Sequence, residues 1–231
     1  MKKIEYVFID KKVVHILQLK PSQNSKLGFG MVVQTYHFSL EQIKANEFKL
    51  DKSNCLGCPY SYTSEGEKSG KCYTHKGMQR LGLVQMLKRL HNNLDSFSTF
   101  DKQTFDNFMA KVHLARPILV RFGTYGEPSL LGEELLKDIS DGYNFTGYTH
   151  AWRKFSLGKY LMASTHTTKE RKQANKRDYR TFNVVSKDYK ALKDEVNCPA
   201  SKESGKKATC ITCGLCKGTQ TKAKDIYIIH H

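Results

Sequence analysis

The sequence predicts an α/β fold in which a partial parallel β/α barrel follows N-terminal β-strands and carries embedded cysteine-rich lobes. Strand-like apolar runs alternate with helical patterns from residue 116 to residue 186, which is typical of strands joined by helices into a parallel sheet. Residues 4–9 and 12–19 are apolar runs around a tight turn, so a pair of strands is expected before the barrel. The 7 cysteines fall into two groups along the sequence, and each group is expected to form one of the lobes.

Hydrophobic periodicity predicts the individual elements. Residues 31–39 are expected to form a third strand, and residues 77–92 and a segment beginning at 101 carry apolar side chains at helical spacing. The later strands are expected at 116–122, 144–149, 159–164, 179–185 and 225–229. The later helices are expected at 130–139, 152–155 and 169–176.

The chain of 231 residues is long enough to bury a sizeable core. Four segments are expected within it: N-terminal strands and a loop (1–54), a cysteine-rich knuckle (55–76), the barrel-like core (77–186), and a four-cysteine lobe with the last strand (187–231).

The composition indicates the compartment and the partner. No apolar run approaches the length that spans a membrane, and the first residues lack a signal-peptide core, so we expect a cytoplasmic protein without a membrane partner. The 38 Lys and Arg residues exceed the 22 Asp and Glu residues, for a formal net charge of +16. Such an excess attracts phosphate backbones, so nucleic acid or another polyanion is the expected partner, although a soluble basic surface would give the same excess.

The densest basic run, at 169–180, predicts a helix that follows a phosphate backbone. A solvated helix face is the alternative interpretation of the same charges. The candidate nucleic-acid contacts are Arg171, Lys172, Lys176, Arg177 and Arg180.

The C-terminal cysteine group has the spacing of a metal site. Cys210, Cys213 and Cys216 are separated by two residues each, and Cys198 lies upstream as a fourth ligand. Four thiolates bind either Zn²⁺ or an iron–sulfur cluster, and the C-x2-C-x2-C run favours the cluster, in its 4Fe-4S form.

The first cysteine group combines Cys55, Cys58, Cys72 and His75 in the pattern C-x2-C-x13-C-x2-H. Two such pairs are typical of a zinc site with three cysteines and one histidine. A second iron–sulfur site and a set of unrelated buried thiols are the alternatives, and His75 is the least secure ligand.

Polar side chains follow several predicted strands, where the carboxyl ends of a parallel sheet gather catalytic groups. Arg121, Glu127, His150 and His166 are therefore expected to meet on one rim as catalytic residues. A carboxylate and two imidazoles can move protons, and an arginine can bind a carboxylate or phosphate. The alternative is that these side chains only satisfy strand ends and helix N-termini.

The run Gly126-Glu-Pro-Ser-Leu-Leu131, between a predicted strand and a helix, resembles the GGEPLL motif of radical S-adenosylmethionine enzymes. That resemblance implies a partial barrel and S-adenosylmethionine as a cofactor, with Gly126, Glu127 and Ser164 as its binding candidates. In this chain Tyr125 replaces one motif glycine, and the first cysteine group differs from the family's C-x3-C-x2-C spacing.

A wider resemblance is to a group of poorly characterised bacteriophage gene products. It rests on the segments 24–28, 38–40 and 147–149, the pairs Cys58-Pro59 and Cys72-Tyr73, and the terminal cysteine lobe. The resemblance implies a phage origin, and hence the cytoplasm of an infected host, but no established activity.

Two functions follow as hypotheses. The first is an iron–sulfur enzyme that acts on a nucleic acid, nucleotide or other anionic substrate. The second is a non-catalytic, zinc-stabilised protein that binds nucleic acid or a host component. A metal-dependent nuclease is disfavoured because few carboxylates lie at the predicted strand ends.

Overall fold

A computed structural model describes residues 4–10, 12–22, 24–48, 52–56, 58–60, 72, 74, 77–94, 99–114 and 116–229. Its centre is a nine-stranded sheet with the order β1-β2-β3-β4-β5-β6-β7-β9-β8. The strands are β1 (Ile4–Asp10), β2 (Val13–Pro21), β3 (Met31–Ser39), β4 (Ile118–Tyr125), β5 (Asn144–Thr149), β6 (Met162–Thr165), β7 (Thr181–Val185), β8 (Glu195–Asn197) and β9 (Asp225–Ile229).

The sheet changes character at β3. The pairs β1–β2 and β2–β3 are antiparallel, whereas every neighbouring pair from β3 onward is parallel. The strands from β3 to β7 also follow one another in sequence order. The α/β class with a mostly parallel sheet is therefore confirmed, and a single sheet connects the N-terminal strands to the C-terminal segment.

Seven α-helices accompany these strands in the described ranges: α1 (Leu40–Ala45), α2 (Lys52–Cys55), α3 (Gly77–Asn93), α4 (Lys102–His113), α5 (Gly132–Ser140), α6 (Thr168–Asn175) and α7 (Cys210–Cys213). The periodic segments predicted α3 to α6 within a few residues. The expected helix at 152–155 is wrong, because residues 152–154 form a turn in which the Lys154 amide donates to the Ala151 carbonyl at 2.8 Å. Helix α1 and the short strand β8 were not predicted.

The sheet has two differently covered faces. Alternate residues of β2 to β5, including Val33, Val120 and Phe145, pack against α4 and α5 through Met109 and Leu136. We call this side the α4/α5 face.

The opposite side is the α3 face. At one end of the sheet, Ile16 and Tyr36 pack against Leu87 and Leu90 of α3. At the other end, Phe182 and Ile226 pack with Cys198 and Cys216. Helix α3 and the C-terminal lobe therefore cover different parts of the same face.

Candidate functional site

The C-terminal cysteine lobe is attached to the α3 face by backbone bonds. The amides of Cys210 and Ile211 donate to the carbonyls of Lys26 and Leu27 at 2.9 and 3.0 Å. Ile211 is buried in a cluster with Leu27, Val32 and Leu119. These contacts fix α7, and with it the first two thiols of the C-x2-C-x2-C run, over the sheet.

Cys198 reaches the same place from the end of β8. Its side chain is buried, and its amide donates to the Tyr227 carbonyl at 2.9 Å. Desolvation, together with the charges of Cys198, Cys210 and Cys213, raises the pKa of Cys216 to about 12. The four sulfurs are thus close enough to oppose one another's ionisation, which is what converging metal ligands do before a cation neutralises them.

Polar neighbours of the four thiols partly compensate for this repulsion. A hydrogen bond from the Tyr148 hydroxyl lowers the pKa of Cys216, and that hydroxyl accepts a bond from Thr146 Oγ1 at 3.1 Å. The charges of Lys26 and Arg121 oppose the rise that desolvation causes in the pKa of Cys210. One hydroxyl and two cations are therefore positioned to stabilise thiolates.

The donor set suits a thiolate-bound centre. In the described ranges, however, no three His, Cys, Asp or Glu side chains form a group that could hold a metal ion as they stand.

Residues 210–218 of the lobe contact the amino ends of β5 and β7, whereas Cys198 follows the carboxyl end of β8. Asn144, the first residue of β5, donates from Nδ2 to the Ile211 carbonyl at 3.1 Å. Arg180, which precedes β7, donates from Nη1 to the carbonyls of Leu215 and Gly218 at 2.6 and 3.0 Å. The rim of His150 and His166 is at the opposite ends of these strands, because both histidines follow the carboxyl ends of β5 and β6.

The first cysteine group supplies a thiol to that rim instead. Cys58 Sγ lies 3.9 Å from His150 Nε2, and the Tyr60 hydroxyl lies 3.2 Å from His166 Nδ1. The two imidazoles are stacked, with ring centroids 5.9 Å apart and an interplanar angle of 9°. We call these four side chains the imidazole cluster.

The imidazole cluster has a defined charge state. Desolvation, followed by repulsion from His166, lowers the pKa of His150 to about 4, although the nearby Glu170 carboxylate opposes the shift. His150 is therefore neutral near pH 7, the form in which an imidazole ligates a metal. Glu170 also accepts a bond from the His166 amide at 2.9 Å and pairs with Arg153 at 3.0 Å, which ties the end of β6 to α6.

Glu127 lies at the same edge but points into the protein. Its carboxylate is 3% exposed and accepts bonds from the amides of Ser129 at 3.1 Å and His150 at 3.0 Å. Burial raises the pKa of this carboxyl, and hydrogen bonds from Thr149, Ser129 and His150 oppose the rise. Glu127 joins the segments that follow β4 and β5. Its oxygens are already engaged, so they do not fit the amino group of S-adenosylmethionine.

The other rim candidates are distributed elsewhere. Arg121 is in the middle of β4 on the α3 face, where it lines a cavity and influences Cys210. Ser164 is buried opposite Phe182 on β7. Gly126 has a positive φ of 81°, and a Cβ there would meet the His37 carbonyl at 2.7 Å, so the glycine is required by close backbone packing.

The remaining ligands of the first cysteine group are placed only in part. Cys55 is buried, and Cys72 Sγ lies 2.9 Å from Thr74 Oγ1. His75 lies outside the described residues, so its role as a ligand stays a prediction.

The basic run 169–180, which begins in α6, contains both buried and exposed cations. Arg171 is 4% exposed and pairs with Glu195 and Asp225. Arg180 is also buried, and its guanidinium donates hydrogen bonds to backbone carbonyls. Their expected role as nucleic-acid contacts is corrected, because both guanidinium groups are used inside the protein. Lys172, Lys176 and Arg177 are exposed, and their contact with nucleic acid stays a prediction.

A second histidine pair was missed by the sequence reasoning. His15 and His37 face each other on β2 and β3, with 2.8 Å between their Nδ1 atoms, and both are fully buried. Burial and the charge of His15 lower the pKa of His37 well below its usual value. The available signal was a histidine inside each of two apolar strands.

The chain matches no protein-family model, no curated protein sequence and no solved structure. Among the helices of the described ranges, none has the length and apolar character needed to cross a membrane.

Proposed function

We propose that the protein is an iron–sulfur metalloenzyme that acts on a nucleic acid, nucleotide or other anionic substrate. One observation carries the proposal: Cys198, which follows β8, packs in one buried cluster with Cys216, and α7 holds Cys210 and Cys213 on the same face of the sheet. Four thiols gathered beside two cations and a hydroxyl are a donor set for a cluster.

The sequence spacing of these thiols favours a cluster over zinc, because the C-x2-C-x2-C run of Cys210, Cys213 and Cys216 is typical of iron–sulfur sites. Cys198, which packs in one buried cluster with Cys216, would supply the fourth thiolate.

Proton transfer is assigned to the imidazole cluster at the carboxyl ends of the strands. An imidazole with a pKa near 4 is a weak base, so the proton path is assigned to Tyr60 and His166, whose hydroxyl and Nδ1 lie 3.2 Å apart. Cys58 lies beside His150, so a second metal, zinc or another cluster, would be held there by the first cysteine group. A bound cluster supplies single electrons to such a reaction.

The sequential order of the parallel strands supports the comparison with the partial barrel of radical S-adenosylmethionine enzymes. Because the Glu127 carboxylate already accepts two backbone amides, no step is assigned to S-adenosylmethionine.

Anaerobic purification followed by iron, sulfide and zinc analysis tests the proposal. We expect iron and sulfide in nearly equal amounts, at about four of each for the C-terminal site. Zinc alone would overturn the proposal.

Zinc as the only bound metal would support a zinc-stabilised protein that binds nucleic acid or a host component without catalysis. The position of residues 210–218 favours this alternative, because they contact the amino ends of β5 and β7, whereas His150 and His166 follow the carboxyl ends of β5 and β6. There a metal would mainly fix the loop between β8 and β9.

A further inference from the structure

A cavity of about 1100 Å³ lies on the α3 face, between α3 and the strands β2, β3 and β4. It is separate from the imidazole cluster, and its floor includes Arg121, which also influences Cys210. Leu27 also lines the cavity and packs against Ile211, so the cavity opens beside the C-terminal cysteine lobe.

The lining of this cavity is strongly biased in charge. It contains four cationic side chains, and the described lining residues include no carboxylate: the cations are Lys20, Lys88, Arg89 and Arg121. Arg89 is paired with Glu5 at 2.6 Å, whereas no described carboxylate pairs with Lys88 or Arg121. A ligand that compensates for these charges must be anionic.

The remaining lining residues supply hydrogen-bonding and apolar side chains in addition to the charges. Seven Asn and Gln side chains contribute donors and acceptors, and Lys20, Tyr36 and Gln34 form a hydrogen-bonded chain across the floor. Met86 is buried in the wall, while Met78 is 80% exposed at the mouth. Amides pair with base edges, and Met and Tyr side chains pack on flat rings.

Nucleotides combine these properties: a phosphate, a base edge and a flat ring. Small-molecule sites usually enclose about 300–1000 Å³, so this cavity has room for more than one nucleotide unit. We propose that the cavity binds nucleotides, with phosphates on Lys88 and Arg121 and a base between the amide side chains and Met78. The inference rests on the proposed function, since it names the substrate class of that enzyme.

Fluorescence anisotropy with a labelled deoxythymidine hexanucleotide, over a range of salt concentrations, tests the inference on the full chain. The double variant Lys88→Gln/Arg121→Gln should raise Kd at least about tenfold. The slope of log K against log salt should become shallower by about 1.4, since each contact with a single strand contributes about 0.7.

Two further variants keep this result interpretable. Lys88→Gln alone alters an exposed side chain, so it should leave the fold intact and still weaken binding. Lys187→Gln/Lys190→Gln removes the same two charges from an exposed loop and should change Kd less than about twofold. Competition by adenosine monophosphate and adenosine triphosphate separates a free nucleotide from a strand as the natural source.

Three results would overturn the inference: no binding of strand or mononucleotide at low salt, equal losses in the cavity and loop variants, or a loss only in Lys172→Gln/Lys176→Gln of the basic run 169–180. The metal content of the same preparations distinguishes the two proposals. Binding by a zinc-only protein would overturn the iron–sulfur enzyme alone, whereas iron with no nucleotide binding would overturn this site alone.

Discussion

Replacing Arg171 with methionine should lower the free energy of unfolding by about 3–5 kcal/mol. The guanidinium is 4% exposed and pairs with Asp225 at 2.9 Å and Glu195 at 3.2 Å, whose side chains are 7% and 0% exposed. Its third partner, Asp194, is 69% exposed and contributes little. The variant therefore leaves two buried carboxylates without their cation.

The local hydrogen bonds place the loss toward the lower end of that range. Asp225 still accepts from Thr181 N at 2.8 Å and Asn175 Nδ2 at 3.1 Å, and Glu195 keeps the Tyr189 hydroxyl. These donors stabilise the carboxylates in part, so a loss of about 3 kcal/mol is expected.

Urea denaturation of Arg171→Met beside Lys172→Met provides the assay. Lys172 is the next residue of α6 and is exposed, so its replacement should change stability by no more than about 0.5 kcal/mol. A loss below about 1 kcal/mol in Arg171→Met would refute the buried ion cluster.

Two predictions concern stability elsewhere in the protein. Gly158→Ala should lower the free energy of unfolding by at least about 1–3 kcal/mol, because its Cβ would lie 2.1 Å from the Asp178 carbonyl oxygen. Gly82→Ala in α3, whose Cβ would meet nothing within 4 Å, should raise the free energy of unfolding by about 1 kcal/mol. Thermal melts that rank the two variants the other way would contradict these packing contacts. Because the pKa of His37 is lowered in the folded state, the unfolded chain binds a proton that the folded chain does not as pH falls below about 6.5. Stability should therefore fall with acid in the wild type and fall less in His37→Gln, and equal urea midpoints from pH 7.5 to 5 would rule out that contribution.

The local sequence pattern was sufficient to predict most of the helices and strands. The apolar runs of β1 to β3 and the helical spacing of α3 and α4 depend on nearby residues, and they were predicted within a few positions. The turn at 152–154 was mistaken for a helix because Trp152 is buried by tertiary packing, with the Arg153 guanidinium 3.9 Å above its ring. Periodicity alone cannot distinguish that arrangement from a helical turn.

The site depends on contacts that are distant in the sequence. The amides of α7 bond to the loop before β3, and this pairing across more than 180 residues decides which edge of the sheet the cysteines occupy. Arg171 lies in the same charge run as Lys172, but its partners on β8 and β9 turn it inward. A charge run has the same composition whether its cations are buried or exposed.

The central claim is that Cys198, Cys210, Cys213 and Cys216 hold one iron–sulfur cluster. Electron paramagnetic resonance of the anaerobic, dithionite-reduced protein tests it most directly, with Cys216→Ser beside Cys72→Ser as the matched control. The account predicts a cluster signal in the wild type that Cys216→Ser loses and Cys72→Ser retains. A wild-type protein without a signal, or a signal unchanged in Cys216→Ser, would contradict it.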